Sequence, residues 1–344
     1  MAERASLKRQ IKLVNQVAAF TALFLLASCG GNEEEEVKTV TPTREATLSA
    51  PIVWQTSVFE DGLTGFAISE TSPLSLMLAL DDNGLQLIDS DGAPLHPQRA
   101  PYIASALTAV KPNNEADSNL RLFFGVDKRK EQVSVYMFED GMEAPADPVA
   151  FLDGDPIISD RVGGICSANS ISDEHVAKLA YWNTIENTVL VVGEVKLENN
   201  EFSFVETNRI PHDKYITSCS LDGNLVATGG GFGVMFNPGS SDAVLVDTPD
   251  VPVALSALSE GTAGIAAMVL SNGEAMLVDS EGKGGLLEFD SALRAEVPKS
   301  VEDISLSRSS QIGSLPNGFL ALESNTTGGS QIIFVDLKKL IDQL

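Results

Sequence analysis

The stretch TSCSLDGNLVATGGGFGVMF, residues 217–236, contains three short runs rich in small and apolar residues, separated by turn signals. The first run, TSCSL, alternates small polar and larger side chains, and the next two, NLVAT and GVMF, are more apolar. Short runs of this kind, bounded by Gly, Asn and Asp, are typical of β-strands joined by tight turns. The stretch therefore predicts three consecutive antiparallel strands.

The same three-run unit recurs six times between residues 51 and 344, with a period of about 49 residues. Radial repetition of four-stranded sheets describes a β-propeller, and small residues in each first run suit strands that crowd around an axis. A two-sheet sandwich is the alternative, but it gives no reason for a sixfold period. We predict an all-β fold, a six-bladed β-propeller of four-stranded antiparallel blades. The first runs are TGFAISE (64–70), ASALTAV (104–110), GGICSAN (163–169), TSCSLDG (217–223), ALSALSE (254–260) and EDISLSR (302–308).

Residues 1–28 resemble a bacterial lipoprotein signal peptide, with basic residues before an apolar stretch that is too short for a comfortable membrane span. LASC, residues 26–29, is similar to the lipobox, which implies cleavage before Cys29 and lipidation of its thiol. A chance cysteine after an ordinary signal peptide is the alternative. Gly30 after the cysteine favours a lipid-anchored place in the bacterial cell envelope, at the outer membrane, facing the periplasm or the surface.

Residues 29–50 include four consecutive glutamates and little apolar content, which predicts an acidic flexible tether. Without residues 1–28 the chain keeps 19 basic and 47 acidic residues, a formal net charge of −28. This charge argues against nucleic acid as a partner, because the phosphates would be repelled. The three histidines lie far apart in the sequence, which argues against a histidine-based zinc site.

Four segments of the repeat region resemble the β-propeller phytases, six-bladed calcium-dependent enzymes that remove phosphate from phytate. The resemblance holds in order and spacing from about residue 51 to residue 344 and implies the same scaffold. The segments are DDNGLQLIDSDG (81–92), FFGVDKRKEQVSVYMFE (123–139), ITSCSLDGNLVATGGGFGVMF (216–236) and VEDISLS…SQIIFVDLKKL (301–340).

The chain departs from the phytases at the positions where that family holds calcium and phosphate. Gly229, Gly230 and Gly231 stand in place of inward-pointing glutamates, and Asp81 and Asp82 stand in place of lysines. Calcium takes several oxygen ligands, so these replacements predict the loss of the calcium platform. We expect the glycine cluster to be a tight turn between two strands, because no further glycine or lysine completes a phosphate-binding motif.

Two pairs of polar residues are candidates for a remnant site. By the resemblance, Lys128 and Arg129 are candidate substrate-binding residues, and Glu302 and Asp303 are candidate calcium ligands. The alternative is a solvated turn at the first pair and an ordinary strand start at the second. No catalytic residue is assigned.

Cys166 and Cys219 lie in the first strands of successive units, and the matching phytase segments often carry cysteine at both places. A disulfide between them and two buried free thiols are equally compatible with the sequence.

Two functions remain open. The first is a noncatalytic phytase-like binding or scaffold module that is anchored to the membrane by lipid and binds an envelope protein or a small phosphorylated ligand. The second is a divergent calcium-dependent phosphomonoesterase, and only this second function requires calcium as a cofactor. The missing ligands favour the first function, and the family resemblance favours the second.

Overall fold

The computed structural model describes residues 37–42, 47–70, 74–81, 84–95, 103–110, 120–139, 150–151, 157–169, 175–199, 201–260, 263–290 and 297–344. The predicted signal peptide, the lipidation site Cys29 and Asp82 lie outside these residues. Within them, no helix is long and apolar enough to cross a membrane.

The described chain is built from 24 strands and one short helix, and the strands form the blades of a propeller. Two strands, β1 (Lys38–Val40) and β2 (Thr47–Gln55), precede the first blade. Blade 1 contains β3 (Leu63–Ser69), β4 (Ser75–Leu80) and β5 (Gly84–Asp89); blade 2 contains β6 (Ala104–Val110), β7 (Leu120–Asp127), β8 (Val133–Glu139) and β9 (Ala150–Phe151); blade 3 contains β10 (Val162–Ala168), β11 (Ala177–Asn183), β12 (Val189–Glu198) and β13 (Glu201–Pro211).

The second half of the propeller follows the same order of strands. Blade 4 contains β14 (Ser218–Asp222), β15 (Leu225–Gly230), β16 (Gly233–Phe236) and β17 (Val244–Asp247); blade 5 contains β18 (Pro252–Glu260), β19 (Ala263–Leu270), β20 (Ala275–Asp279) and β21 (Gly284–Asp290); blade 6 contains β22 (Val301–Ser307), β23 (Phe319–Thr326) and β24 (Gly329–Asp336), followed by helix α1 (Leu337–Ile341).

The first strand of each blade contacts the first strand of the next blade, and β22 of blade 6 contacts β3 of blade 1, so the ring is closed. Hydrogen bonds between these inner strands join matching positions. Near the strand starts, Thr64 Oγ1 donates to the Ala104 carbonyl (2.8 Å), and near the strand ends the Ser259 amide donates to Asp222 Oδ2 (2.7 Å). The inner strands therefore share one direction. We call the face at their N-terminal ends the upper face; the turns between second and third strands lie there too, because each blade is antiparallel.

Strand β2 closes the ring from the N-terminal side. Its first half pairs in parallel with β21, from Thr47↔Leu286 to Pro51↔Asp290, and its second half pairs antiparallel with β24. Blade 6 thus takes its outermost strand from the opposite end of the chain. A single strand joins blade 5 to blade 6, and both sheets become one eight-stranded sheet.

Six hydrophobic clusters fill the structure, one between each pair of adjacent blades. In β4, Leu76 and Leu78 pack toward blade 6, whereas Met77 and Ala79 pack toward blade 2. This alternation buries both faces of a blade, which explains why the second and third strands are continuous apolar runs instead of alternating ones.

The predicted six-bladed propeller is confirmed, and all eighteen predicted strand segments correspond to the first, second and third strands of the blades. In its described part, blade 1 has three strands, and Pro94 forms an isolated bridge with Ile88 where a fourth would lie. Strand β1 pairs with β17, and β2 begins at Thr47. The sheets therefore extend N-terminally of residue 51, into the segment assigned to the tether.

A disulfide joins Cys166 of β10 to Cys219 of β14, with the two Cα atoms 5.7 Å apart. Both residues are buried in the cluster between blades 3 and 4. The sequence was compatible with either a disulfide or two free thiols, and the structure contains the disulfide.

We expect purified residues 37–344 to contain no free thiol when unfolded without reductant, because the bridge uses both cysteines of that segment. Thiol titration in denaturant measures this directly. Replacing both cysteines by serine should lower the free energy of unfolding by about 2–5 kcal/mol. Two titratable thiols in the unreduced protein would contradict the bridge.

Candidate functional site

A central channel of about 980 Å³ runs along the axis of the propeller, and the inner strands of all six blades line it. Nearly half of the residues that line it are alanine, glycine, serine or threonine, and larger side chains such as Phe66 and Trp182 line it as well. Hydroxyl groups in these walls also link the blades: the Ala257 amide donates to Ser220 Oγ and the Leu306 amide donates to Ser256 Oγ, each at 2.8 Å. The small polar residues of the first runs therefore have a structural role.

The lower end of the channel carries a charged contact between blades 4, 5 and 6. Arg308 Nη1 lies 3.1 Å from Asp222 Oδ2, Arg308 Nη2 donates to the Ser259 carbonyl, and the guanidinium lies 3.8 Å from Glu260. Nearby, the Ser307 hydroxyl donates to Glu70 Oε1 at 2.6 Å and joins blade 6 to blade 1. These polar groups hold the ends of the inner strands together.

On the upper face, the glycine cluster forms the turn between β15 and β16, as the sequence predicted. Gly230 pairs with Gly233, and Gly231 has a φ of +57°, a conformation that glycine adopts without strain. A Cβ atom added to Gly230 would lie 2.2 Å from the backbone carbonyl oxygen of Tyr215, so the preceding loop occupies the space of a side chain. Gly229 and Gly233 are similarly enclosed. A glutamate at Gly230 would require the backbone to move, whereas added side chains at Gly229 and Gly231 would meet the side chains of Ser218 and Lys214.

Lys128 and Arg129 lie on the upper face, in the turn between β7 and β8 of blade 2. Lys128 Nζ forms a salt bridge of 2.8 Å with Asp81 Oδ1, from the corresponding turn of blade 1. The Arg129 amide donates to Asp127 Oδ1 at 2.8 Å, and the residue is exposed. The candidate phosphate-binding lysine therefore forms an ion pair with Asp81.

Glu302 and Asp303 lie at the start of β22, also near the upper face. Both oxygens of the Asp303 carboxylate accept backbone amides, from Phe66 of blade 1 (3.1 Å) and from Ile304 (2.8 Å). The amide of Asn325 donates to Glu302. Loss of hydration on burial raises the pKa of Asp303 to about 6, opposed by the two amides.

A third carboxyl group, Glu323 of β23, lies opposite Asp303 in the strand register and is 1% exposed. Its Oε1 has no hydrogen-bond partner within the described part of the chain. Burial, followed by the charges of Asp303 and Glu302, raises the pKa of Glu323 to about 8. The side chain therefore carries a proton at neutral pH. Its strand segment, GFLALES (318–324), is an apolar run that gives no sign in the sequence of a protonated buried acid.

The structure places all the candidate residues it describes on one face but does not assemble them around one point. Lys128 pairs with Asp81 on blades 1 and 2, whereas the three carboxyl groups belong to blade 6. Among the described residues, no three Asp, Glu, His or Cys side chains come together in a way that could hold a metal ion. The calcium assignment of Glu302 and Asp303 and the phosphate assignment of Lys128 and Arg129 stay predictions.

No protein-family profile and no curated protein sequence matches the chain. Among solved structures, a triple arginine-to-alanine mutant of AofleA from Arthrobotrys oligospora superposes with a TM-score of 0.53 at 11% identity, over 86% of this chain and 92% of the other. The WD40 repeats of RRP9 give a TM-score of 0.48 at 12% identity, over 83% and 99% of the two chains. BBS1N, solved in complex with ARL6DN, gives 0.47 at 12% identity, over 79% and 78%. At these identities the likeness to AofleA shows the fold alone.

Because the Tyr215 carbonyl occupies the space next to Gly230, we expect Gly230→Ala to lower the free energy of unfolding by about 1–3 kcal/mol. Gly62→Ala is the matched control: a Cβ at Gly62 meets no atom within 4 Å, so its change should stay within about 0.5 kcal/mol. Urea unfolding of both variants measures the difference. Equal stability of the two would show that the glycine turn is not packed against the 212–217 loop.

The protonated Glu323 predicts a pH-dependent stability. Its pKa is about 8 in the folded protein and near 4.5 in the unfolded chain, so between these values the folded state binds more protons and stability falls as pH rises. The slope should reach at most about 1.4 kcal/mol per pH unit. Glu323→Gln should remove this slope above about pH 7, where Asp303, with a pKa of about 6, is mostly deprotonated in both states. The exposed Glu288→Gln should retain it. Urea unfolding at several pH values tests this, and an identical slope in all three proteins would contradict it.

Proposed function

We propose that this protein is a noncatalytic binding module: a phytase-like β-propeller that is anchored to the cell envelope by lipid and presents its upper face to a partner. The contact between Gly230 and the Tyr215 carbonyl carries the proposal, because the loop fills the space that a calcium-binding side chain would need.

The charges on the upper face support the same function. A phytase-like site must attract a dense polyanion, which needs several cations or bound metal ions. Lys128 is paired with Asp81, and Asp303 directs both carboxylate oxygens at backbone amides of its own fold. These side chains bind other parts of the propeller, and the formal net charge of the chain is −25. A polyanionic substrate would meet a repulsive surface.

The proposed lipid anchor is supported by LASC, residues 26–29, and by the acidic segment that follows it. Two or more acyl chains give stable membrane attachment. With Gly30 after the cysteine, we place the protein at the outer membrane, with the propeller held away from the lipid by the tether.

We expect Cys29→Ala to release the protein from the membrane fraction, because the acylated thiol is lost. Fractionation of cells that express the wild type and the variant, with mass measurement of both, tests this. A variant that stays in the membrane fraction at the processed mass of the wild type would overturn the lipoprotein assignment.

We expect residues 37–344 to release no phosphate above background from phytate or from a small phosphomonoester, at any calcium concentration. The reason is electrostatic, since too few unpaired cations remain to bind the substrate. The alternative function, a divergent calcium-dependent phosphomonoesterase, predicts turnover that rises with calcium. If that turnover also disappears in the double variant Lys128→Ala, Arg129→Ala, the noncatalytic proposal fails and the enzyme is established.

A further inference from the structure

Four large hydrophobic side chains on the upper face are exposed to solvent, and we call them together the apolar ridge. They are Ile185 (71% exposed), Tyr215 (51%), Phe232 (59%) and Val253 (44%). They come from four separate segments: the β11–β12 turn, the β13–β14 loop, the β15–β16 turn and the start of β18. They lie on blades 3 to 5: Val253 lines the channel, Phe232 follows Gly231 in the glycine turn, and the backbone carbonyl of Tyr215 contacts Gly230.

Hydrogen bonds join these four segments to one another, in part through the β17–β18 loop (248–251). The Ile216 amide donates to the Asn187 carbonyl (2.6 Å), which ties the β13–β14 loop to the β11–β12 turn. The Thr217 hydroxyl donates to the Pro252 carbonyl (2.5 Å), and the Thr248 amide donates to the Phe232 carbonyl (2.9 Å). With Gly230 packed against the Tyr215 carbonyl, the ridge is held in place before any partner binds. Preorganisation of this kind lowers the entropic cost of association.

Carboxylates outnumber cations on the four segments and the neighbouring β17–β18 loop (248–251). Glu186 and Asp213 lie on the segments, Asp250 lies in that loop and Asp247 directly before it, whereas Lys214 is the only lysine or arginine among these residues. The Ser271 hydroxyl, followed by the Val251 amide, lowers the pKa of Asp250, so this carboxyl is charged at neutral pH.

We propose that the apolar ridge is the docking site for a cationic, partly apolar segment of a partner protein. The inference deepens the proposed binding function and rests on it. Apolar side chains of the segment cover Tyr215 and Phe232, and its lysines and arginines lie against the aromatic faces and the surrounding carboxylates. A second copy of this chain is disfavoured as the occupant, because it would bring another strongly acidic surface against the first.

The test uses three synthetic peptides of equal length labelled with fluorescein: one of arginine and leucine, one of glutamate and leucine, and one of arginine and serine. Fluorescence anisotropy reports their binding to residues 37–344. We expect the arginine–leucine peptide to bind best and the glutamate–leucine peptide not to bind.

Phe232→Ser and Tyr215→Ser should each weaken binding of the arginine–leucine peptide about tenfold, because exposed aromatic residues carry much of the energy of such contacts. Val205→Ser is the matched control, since Val205 of β13 is 41% exposed but lies outside the ridge.

A second pair of variants separates local charge from net charge. Glu186→Gln with Asp213→Asn changes the ridge, and Glu198→Gln with Glu201→Gln changes the exposed β12–β13 turn by the same amount of charge. Only the first pair should weaken binding. Melting curves establish that every variant is folded.

Three outcomes would overturn the proposal that the apolar ridge is a docking site. They are no binding of the arginine–leucine peptide, equal binding of the glutamate–leucine peptide, or an equal loss of affinity in the ridge variants and the control variants. These outcomes concern peptide binding only, whereas the noncatalytic proposal fails only if residues 37–344 release phosphate. The failure of this inference is therefore distinguishable from the failure of the noncatalytic proposal.

Discussion

The pairing of β2 with β24 is the interaction on which the rest of the structure depends. A propeller buries both faces of each blade only when the ring is closed, and here closure requires the N-terminal strand to complete the last blade. Ile52, 1% exposed, lies in the cluster that blades 5 and 6 share. Asp303 supports the neighbouring junction by accepting the Phe66 amide of blade 1. Since each blade packs only on its two neighbours, an open ring would expose a cluster at the break and loosen the loops of the upper face.

Closure also determines what the upper face can do. The turns at residues 81, 128–130 and 230–233 are brought to one side of the ring. These turns, however, contact the protein itself: Lys128 forms an ion pair with Asp81, and Gly230 packs against the backbone carbonyl of Tyr215. The same packing that removes space for ligands leaves Phe232 at the tip of its turn, exposed to solvent.

The sequence predicted the blades well because the inner, second and third strands repeat a local pattern of small residues, apolar runs and turns. It did not predict the role of β2, whose partners β21 and β24 are more than 200 residues away and leave no local signal. The candidate site was harder to predict. The Lys128–Asp81 pair depends on two turns from different blades, and the proton on Glu323 depends on burial beside Asp303. The contact at Gly230 depends on a loop from the preceding blade junction.

The upper face is packed against itself at Gly230 and at Lys128, and we propose that these contacts stand where the phytases bind calcium and phosphate. A crystal structure of residues 37–344 soaked with calcium and inorganic phosphate tests this claim most directly. We expect the Tyr215 carbonyl to lie in contact with Gly230, Lys128 to stay paired with Asp81, and neither ion to bind at these positions. Calcium between Glu302, Asp303 and Glu323, with phosphate on Lys128 and Arg129, would contradict the account.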